Sequence, residues 1–143
     1  MRPMYEKEEN LEVEQEAAAI IESKWNCTVN KMPIRYYLDF VLCRGDRAFA
    51  FCEIKTRNRT MLDVQNLGGY LIDISKWTAA KNLCEASNLP FILVVKMIDG
   101  VYYAKVDDFK PDGVLVRGRK DRNDWQDVGP CAVLNTSRFK RLQ

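Results

Sequence analysis

Asp39, Glu53 and Lys55 are the residues of this chain whose types and spacing could do chemistry. Asp39 interrupts one apolar run, residues 36–42, and Glu53-Ile54-Lys55 closes the next, which starts at Phe49. The polar tetrapeptide Arg44-Gly45-Asp46-Arg47 between them reads as a turn. Two strands folded back on each other there bring two carboxylates and an ammonium to one spot. Paired carboxylates are hard oxygen donors for a divalent cation. A cation with a lysine beside it suits the hydrolysis of a phosphate ester.

Register decides whether the acids meet. Side chains alternate along a strand, so Tyr37, Asp39 and Val41 share one face, and Phe49, Phe51, Glu53 and Lys55 share a face of the next strand. Asp39 faces Glu53 if the loop holds an odd number of residues, as with Gly45 to Arg47 between Arg44 and Ala48. A two-residue Gly45-Asp46 turn pairs Asp39 with Cys52 and separates the acids, unless a bulge intervenes. The blander reading of these charges is the solvated side of a half-buried sheet. Against it, Leu38 and Phe40 flank Asp39, and Phe49-Ala50-Phe51-Cys52 runs straight into Glu53. A desolvated carboxylate is costly unless it is paired or holds a metal.

The chain of 143 residues is long enough for one domain with a real core. Its 47% hydrophobic and 29% charged residues are ordinary globular values. A net charge of +2 does not by itself specify a nucleic-acid partner, but the distribution says more. Arg57 and Arg59 follow the candidate site directly. Arg117, Arg119, Lys120 and Arg122 make a second basic group and Arg138, Lys140 and Arg141 a third, both of which read equally well as solvated surface. Five cysteines without a Cys-X-X-Cys spacing fit the reduced thiols of a cytoplasmic protein. Cys27, Cys43, Cys52 and Cys84 fall in apolar patterns, where a free cysteine is a small core residue. No apolar run suggests a membrane span or a signal segment. With no histidine in the chain, histidine-based hydrolases, zinc–histidine sites and nucleases with a histidine base are excluded.

The elements that must position these residues follow from periodicity. Residues 11–25 carry a helical stripe of Leu11, Ala18, Ile21 and Trp25, widened by Ala17 and Ile20, with Asn10 as a cap unless the acid-rich start extends the helix upstream. That stripe passes through Glu14, either a buried-face acid or a boundary residue whose carboxylate reaches water. A short strand over 27–32 precedes Pro33 and the two strands above. Residues 57–69 read as a polar loop that could close over a substrate, and 70–74 as a short extended segment. Ser75 is the expected N-cap of a helix to about Ser87, with Trp77, Ala80, Leu83 and Cys84 inward. Pro90 introduces a buried strand over 91–95, and Asp99-Gly100 signals a hairpin back through 101–106. Residues 110–127 read as irregular or as a mobile hairpin, and 132–134 as a final edge strand. The expected order is α-β-β-β-α-β-β in one domain, a mixed sheet flanked by helices, with a core of about residues 10–106 and a basic C-terminal extension over 107–143.

With Asp39 in the second strand and Glu53-Ile54-Lys55 in the third, this order resembles the PD-(D/E)XK nuclease superfamily, which includes archaeal junction resolvases and small phage or restriction-type nucleases. The likeness covers roughly residues 10–106, and Leu38 stands where the family name has proline. It implies a restriction-endonuclease-like α/β fold and a magnesium-dependent DNA endonuclease, with manganese as a substitute ion. Asp39 and Glu53 would bind the metal, the Ile54 carbonyl would add a ligand, and Lys55 would position or activate the attacking water. Glu14 would complete the site from the first helix, with Gln15 and Glu16 as competitors. Lys76 would face the phosphate, while Arg57 and Arg59 would bind flanking phosphates of the DNA. The resemblance also implies a homodimer, since paired cuts need one active site per strand. A non-catalytic nucleic-acid-binding module keeping the fold is the alternative, against which the intact Asp39, Glu53 and Lys55 argue.

Overall fold

A computed structural model describes residues 8–32, 38–118 and 128–143. The expectations for Tyr36 and Tyr37, and for the basic residues Arg119, Lys120 and Arg122, lie outside the described residues. So do those for the side chains of Leu11 and Arg117. Helix α1 (Glu8–Trp25) starts upstream of Asn10, so the acid-rich segment is helical and Asn10 is not its cap. Strands β1 (Thr28–Lys31), β2 (Phe40–Arg44) and β3 (Arg47–Thr56) form an antiparallel meander. Strands β5 (Phe91–Met97) and β6 (Gly100–Val106) match the expected buried hairpin, and β5 lies parallel to β3. With the short β9 (Lys140–Arg141) they complete a six-stranded sheet of order β1-β2-β3-β5-β6-β9.

Three expectations give way. Residues 57–69 are not all loop: α2 (Met61–Asn66) forms within them, capped by reciprocal bonds in which Thr60 Oγ1 accepts the Asp63 N–H and an Asp63 carboxylate oxygen accepts the Thr60 N–H. The extended segment at 70–74 is β4 (Tyr70–Asp73), and it joins a second sheet of order β4-β8-β7 with β7 (Gly113–Gly118) and β8 (Val128–Leu134). Residues 132–134 therefore belong to a central strand, bonded to β4 on one side and β7 on the other. Helix α3 (Ile74–Ser87) is capped by Asp73 rather than Ser75: the Asp73 carboxylate accepts both the N–H and the hydroxyl of Ser75, at 2.8 and 2.5 Å. Asn88 ends it in the left-handed conformation, at φ 59°.

The large sheet is covered on both faces. Ala17 and Ile21 of α1 pack with Phe40, Leu42, Ala50, Cys52, Ile54, Ile92 and Val94. On the other face Trp77, Ala80 and Cys84 of α3 pack with Phe51, Phe91, Leu93 and Val95, joined by Phe109, Ala132 and Leu134. Alternation along β3 thus sends Ala50, Cys52 and Ile54 toward α1, and Phe51, Glu53 and Lys55 toward α3. Five consecutive buried residues, Phe91 to Val95, serve both layers, each worth about 1.5–3 kcal/mol of burial. Among the described residues, no helix is long and apolar enough to cross a membrane.

Candidate active site

The register between β2 and β3 is set by two local features that offset each other. Arg44 pairs with Arg47 across a two-residue Gly45-Asp46 turn, and Cys43 with Ala48. The pairing then shifts by one, so that Leu42 meets Ala50, Val41 meets Phe51 and Phe40 meets Cys52. Phe49 is the extra residue of a β-bulge, its ring covered by the Arg44 guanidinium at 4.3 Å. Gly45, at φ 60°, makes the tight turn affordable. Asp39 lies just before β2, its carbonyl accepting the Met32 N–H at 2.7 Å, and the shifted register carries it opposite Glu53.

Glu53 is the only buried charged residue among those described, at 1% exposure. Its Oε2 accepts the backbone N–H of Asp39 at 3.0 Å. Its Oε1 pairs with the Lys76 ammonium from the first turn of α3, while Lys55 Nζ lies 3.4 Å away. Lys55 Nζ is also 4.0 Å from Asp39 Oδ2, so it bridges the two carboxylates. Burial pushes the Glu53 carboxyl above its ordinary value, and Lys76 and Lys55 only partly pull it back. Burial works to lower the Lys55 value, but Glu53 and Asp39 outweigh it and leave that value raised. Lys55 therefore stays an ammonium, suited to act as a charged donor.

Residues 1–142 match the family described as "Phage putative PDDEXK endonuclease". The chain belongs to this family. It is a PD-(D/E)XK-type nuclease. Among solved structures it is similar to Hjc of Archaeoglobus fulgidus, a Holliday junction resolvase from an archaeal hyperthermophile. The likeness has a TM-score of 0.50 at 9% identity and covers 68% of this chain and 88% of that one. At that identity it shows the fold alone, and that fold is the restriction-endonuclease-like one expected from the element order. No curated protein matches the chain.

Within this PD-(D/E)XK nuclease, Asp39, Glu53, Lys55 and Lys76 come together. Among the described residues, no group of three or more acids, cysteines or histidines could hold a metal by side chains alone. Helix α1 packs on the sheet face opposite Glu53. On that helix Glu14 is half-buried, whereas Gln15 and Glu16 are exposed. Glu16 is held 2.8 Å from Lys96, whose strand partner is Thr56 next to Lys55. This part of α1 thus lies at the same end of the sheet as the site.

Arg57 and Arg59 continue from β3 along β5: the Arg57 N–H donates to the Lys96 carbonyl, and the Arg59 carbonyl accepts the Ile98 N–H. Both side chains are exposed, and the Arg57 guanidinium lies 5.5 Å above the Tyr70 ring. Tyr70 is the residue that sequence reasoning missed. Its hydroxyl is buried without a hydrogen-bond partner among the described residues. Burial raises its pKa, while the charges of Arg57, Glu53 and Lys76 all act on it. An aromatic residue in an apolar segment gave no sign of this, because its neighbours come from three other elements. The third basic group is structural in part: Arg138 forks onto Asp112 at 2.9 and 3.1 Å, and Arg141 donates to the Asp99 carbonyl at 3.0 Å.

Proposed function

We propose that this nuclease hydrolyses phosphodiester bonds in DNA with the help of magnesium, for which manganese substitutes, and that it cuts as an endonuclease. The observation that carries the reading is Lys55 bridging Asp39 and the buried Glu53, at 4.0 and 3.4 Å. A desolvated carboxylate beside a second acid is a costly arrangement, and here it stands at the end of the sheet that carries Arg57 and Arg59. The donor set fits magnesium: two carboxylates, with the Ile54 carbonyl as a third oxygen, are the hard ligands it prefers. Bound there, the ion would lower the pKa of water and offset charge on the phosphate. Lys55 would orient the attacking water and donate to the scissile phosphate. Lys76 would offer a second ammonium to the phosphate, Arg57 and Arg59 would bind phosphates on either side of the cut, and Glu14 would complete the site around the end of β3. A homodimer would place one such site on each strand.

Cleavage of supercoiled, linear, single-stranded and four-way-junction DNA with magnesium or manganese tests this, comparing the wild type with Lys55→Ala. Metal-dependent cutting should fall by at least about a hundredfold in the variant, since a positioned group of this kind contributes factors of ~10²–10⁴, with DNA binding kept. The junction substrate asks whether the likeness to a resolvase extends to what is cut. Binding without cutting of any substrate would favour a non-catalytic module.

A further inference from the structure

Both oxygens of the Glu53 carboxylate already have partners. Oε2 holds the Asp39 N–H at 3.0 Å, and Oε1 faces the Lys76 ammonium with Lys55 3.4 Å away. Two carboxylates and two ammonium groups cancel in charge, so the site as folded is already neutralised. A hard cation binds a carboxylate by direct contact with its oxygen. At Oε1 it would meet the Lys76 ammonium at contact distance, and the two like charges repel. One lysine has to yield. Lys55 is anchored on β3 beside both acids, and its geometry keeps it there. Lys76 comes from a different element, pairs with Glu53, and is 21% exposed, so a route to solvent is open to it.

We propose that Lys76 is an exchangeable counter-ion of Glu53, which holds the carboxylate in the free protein, yields it to a divalent cation and then takes a phosphate oxygen of DNA. This deepens the nuclease reading above and rests on it. Its consequence is cooperativity. Without DNA, Lys76 leaves a buried partner for water, and cation binding bears that cost. With DNA present, the displaced ammonium finds a phosphate instead. Because coupling between two ligands is reciprocal, the cation must strengthen DNA binding by the same factor.

Calorimetric titration of calcium into the full chain, with and without a short DNA duplex, reads this coupling directly. In the wild type, DNA should tighten calcium binding by about tenfold, within the ~5–150-fold range of ordinary coupling. Lys76→Met should bind calcium about tenfold more tightly than the wild type without DNA, and DNA should then add clearly less than it does in the wild type, the remainder coming from contact of the ion with the phosphate itself. Lys76→Gln, which keeps a donor for Glu53 but no charge, should behave in the same way, and thermal unfolding shows that both variants fold. Calcium affinity in the variants equal to or below that of the wild type would overturn the exchange. So would tighter binding that leaves the DNA coupling intact, since Lys76 would then be only a nearby positive charge. If neither the wild type nor the variants take up calcium or manganese, the metal-dependent reading itself fails, a result distinct from the other two.

Discussion

Tyr70 and Glu53 are opposite kinds of buried polar group. Glu53 is held by an N–H and two ammonium groups, and the interruption of an apolar strand by an acid already marked it in the sequence. Tyr70 left no such mark. Its environment is assembled by Arg57 from the end of β3, Lys76 from α3 and Phe139, whose ring lies 5.7 Å away, and none of these is near it in pattern. A hydroxyl buried without a partner costs about 1–3 kcal/mol. Tyr70→Phe removes that cost and keeps the ring, so the variant should unfold at an equal or higher temperature than the wild type. A fall of several degrees would show that the hydroxyl has a partner, such as an ordered water.

Among the elements, legibility followed length and period. Strand β5 was plain because five consecutive apolar residues can only be buried on both faces, and Pro90 and Gly100 bound its hairpin. Helix α2 was not, because its six residues are too few to show a period and its stability comes from the Thr60–Asp63 cap. The β2–β3 register was half legible: the two candidate turns were plain, but the bulge at Phe49 that restores the facing of Asp39 and Glu53 has no local signature. Helix α3 offers the sharper test, since it carries Lys76 in its first turn. Ser75 reads as its cap, yet the Asp73 carboxylate is the acceptor at the helix start. Asp73→Ala should cost about 1 kcal/mol, the usual value of a lost N-cap, whereas Ser75→Ala should cost clearly less. Chemical denaturation of the two variants decides it, and a reversed order would restore Ser75 as the cap.

The molecule is closed by contacts that no sequence window contains. The small sheet adds Ala132 and Leu134 to the core shared by α3 and β5, and the carboxylate of Asp112 ties the start of β7 to the turn after β8. Three aspartates have pKa values held below the ordinary 3.8: Asp63 by the Thr60 N–H and hydroxyl, Asp108 by the Lys110 N–H, and Asp112 by Arg138 and the Asn135 N–H. A group whose folded pKa is depressed stabilises the protein above its unfolded value, and that contribution is lost as pH falls through the folded one. Glu53 has the opposite sign. Burial raises it above 4.5, so the cost of its buried charge is relieved as pH falls through the raised value. As pH falls from neutrality these groups should therefore leave the melting temperature level or slightly higher while Glu53 protonates, with a decline setting in below the aspartates' unfolded value of 3.8 and continuing through their lower folded values. Asp112→Asn should lower the melting temperature at neutral pH and make the acid decline shallower, because one of the titrating groups is gone. Melting curves by circular dichroism from neutral to strongly acidic pH measure both effects, and an unchanged acid slope in Asp112→Asn would remove Asp112 from the closure of the small sheet.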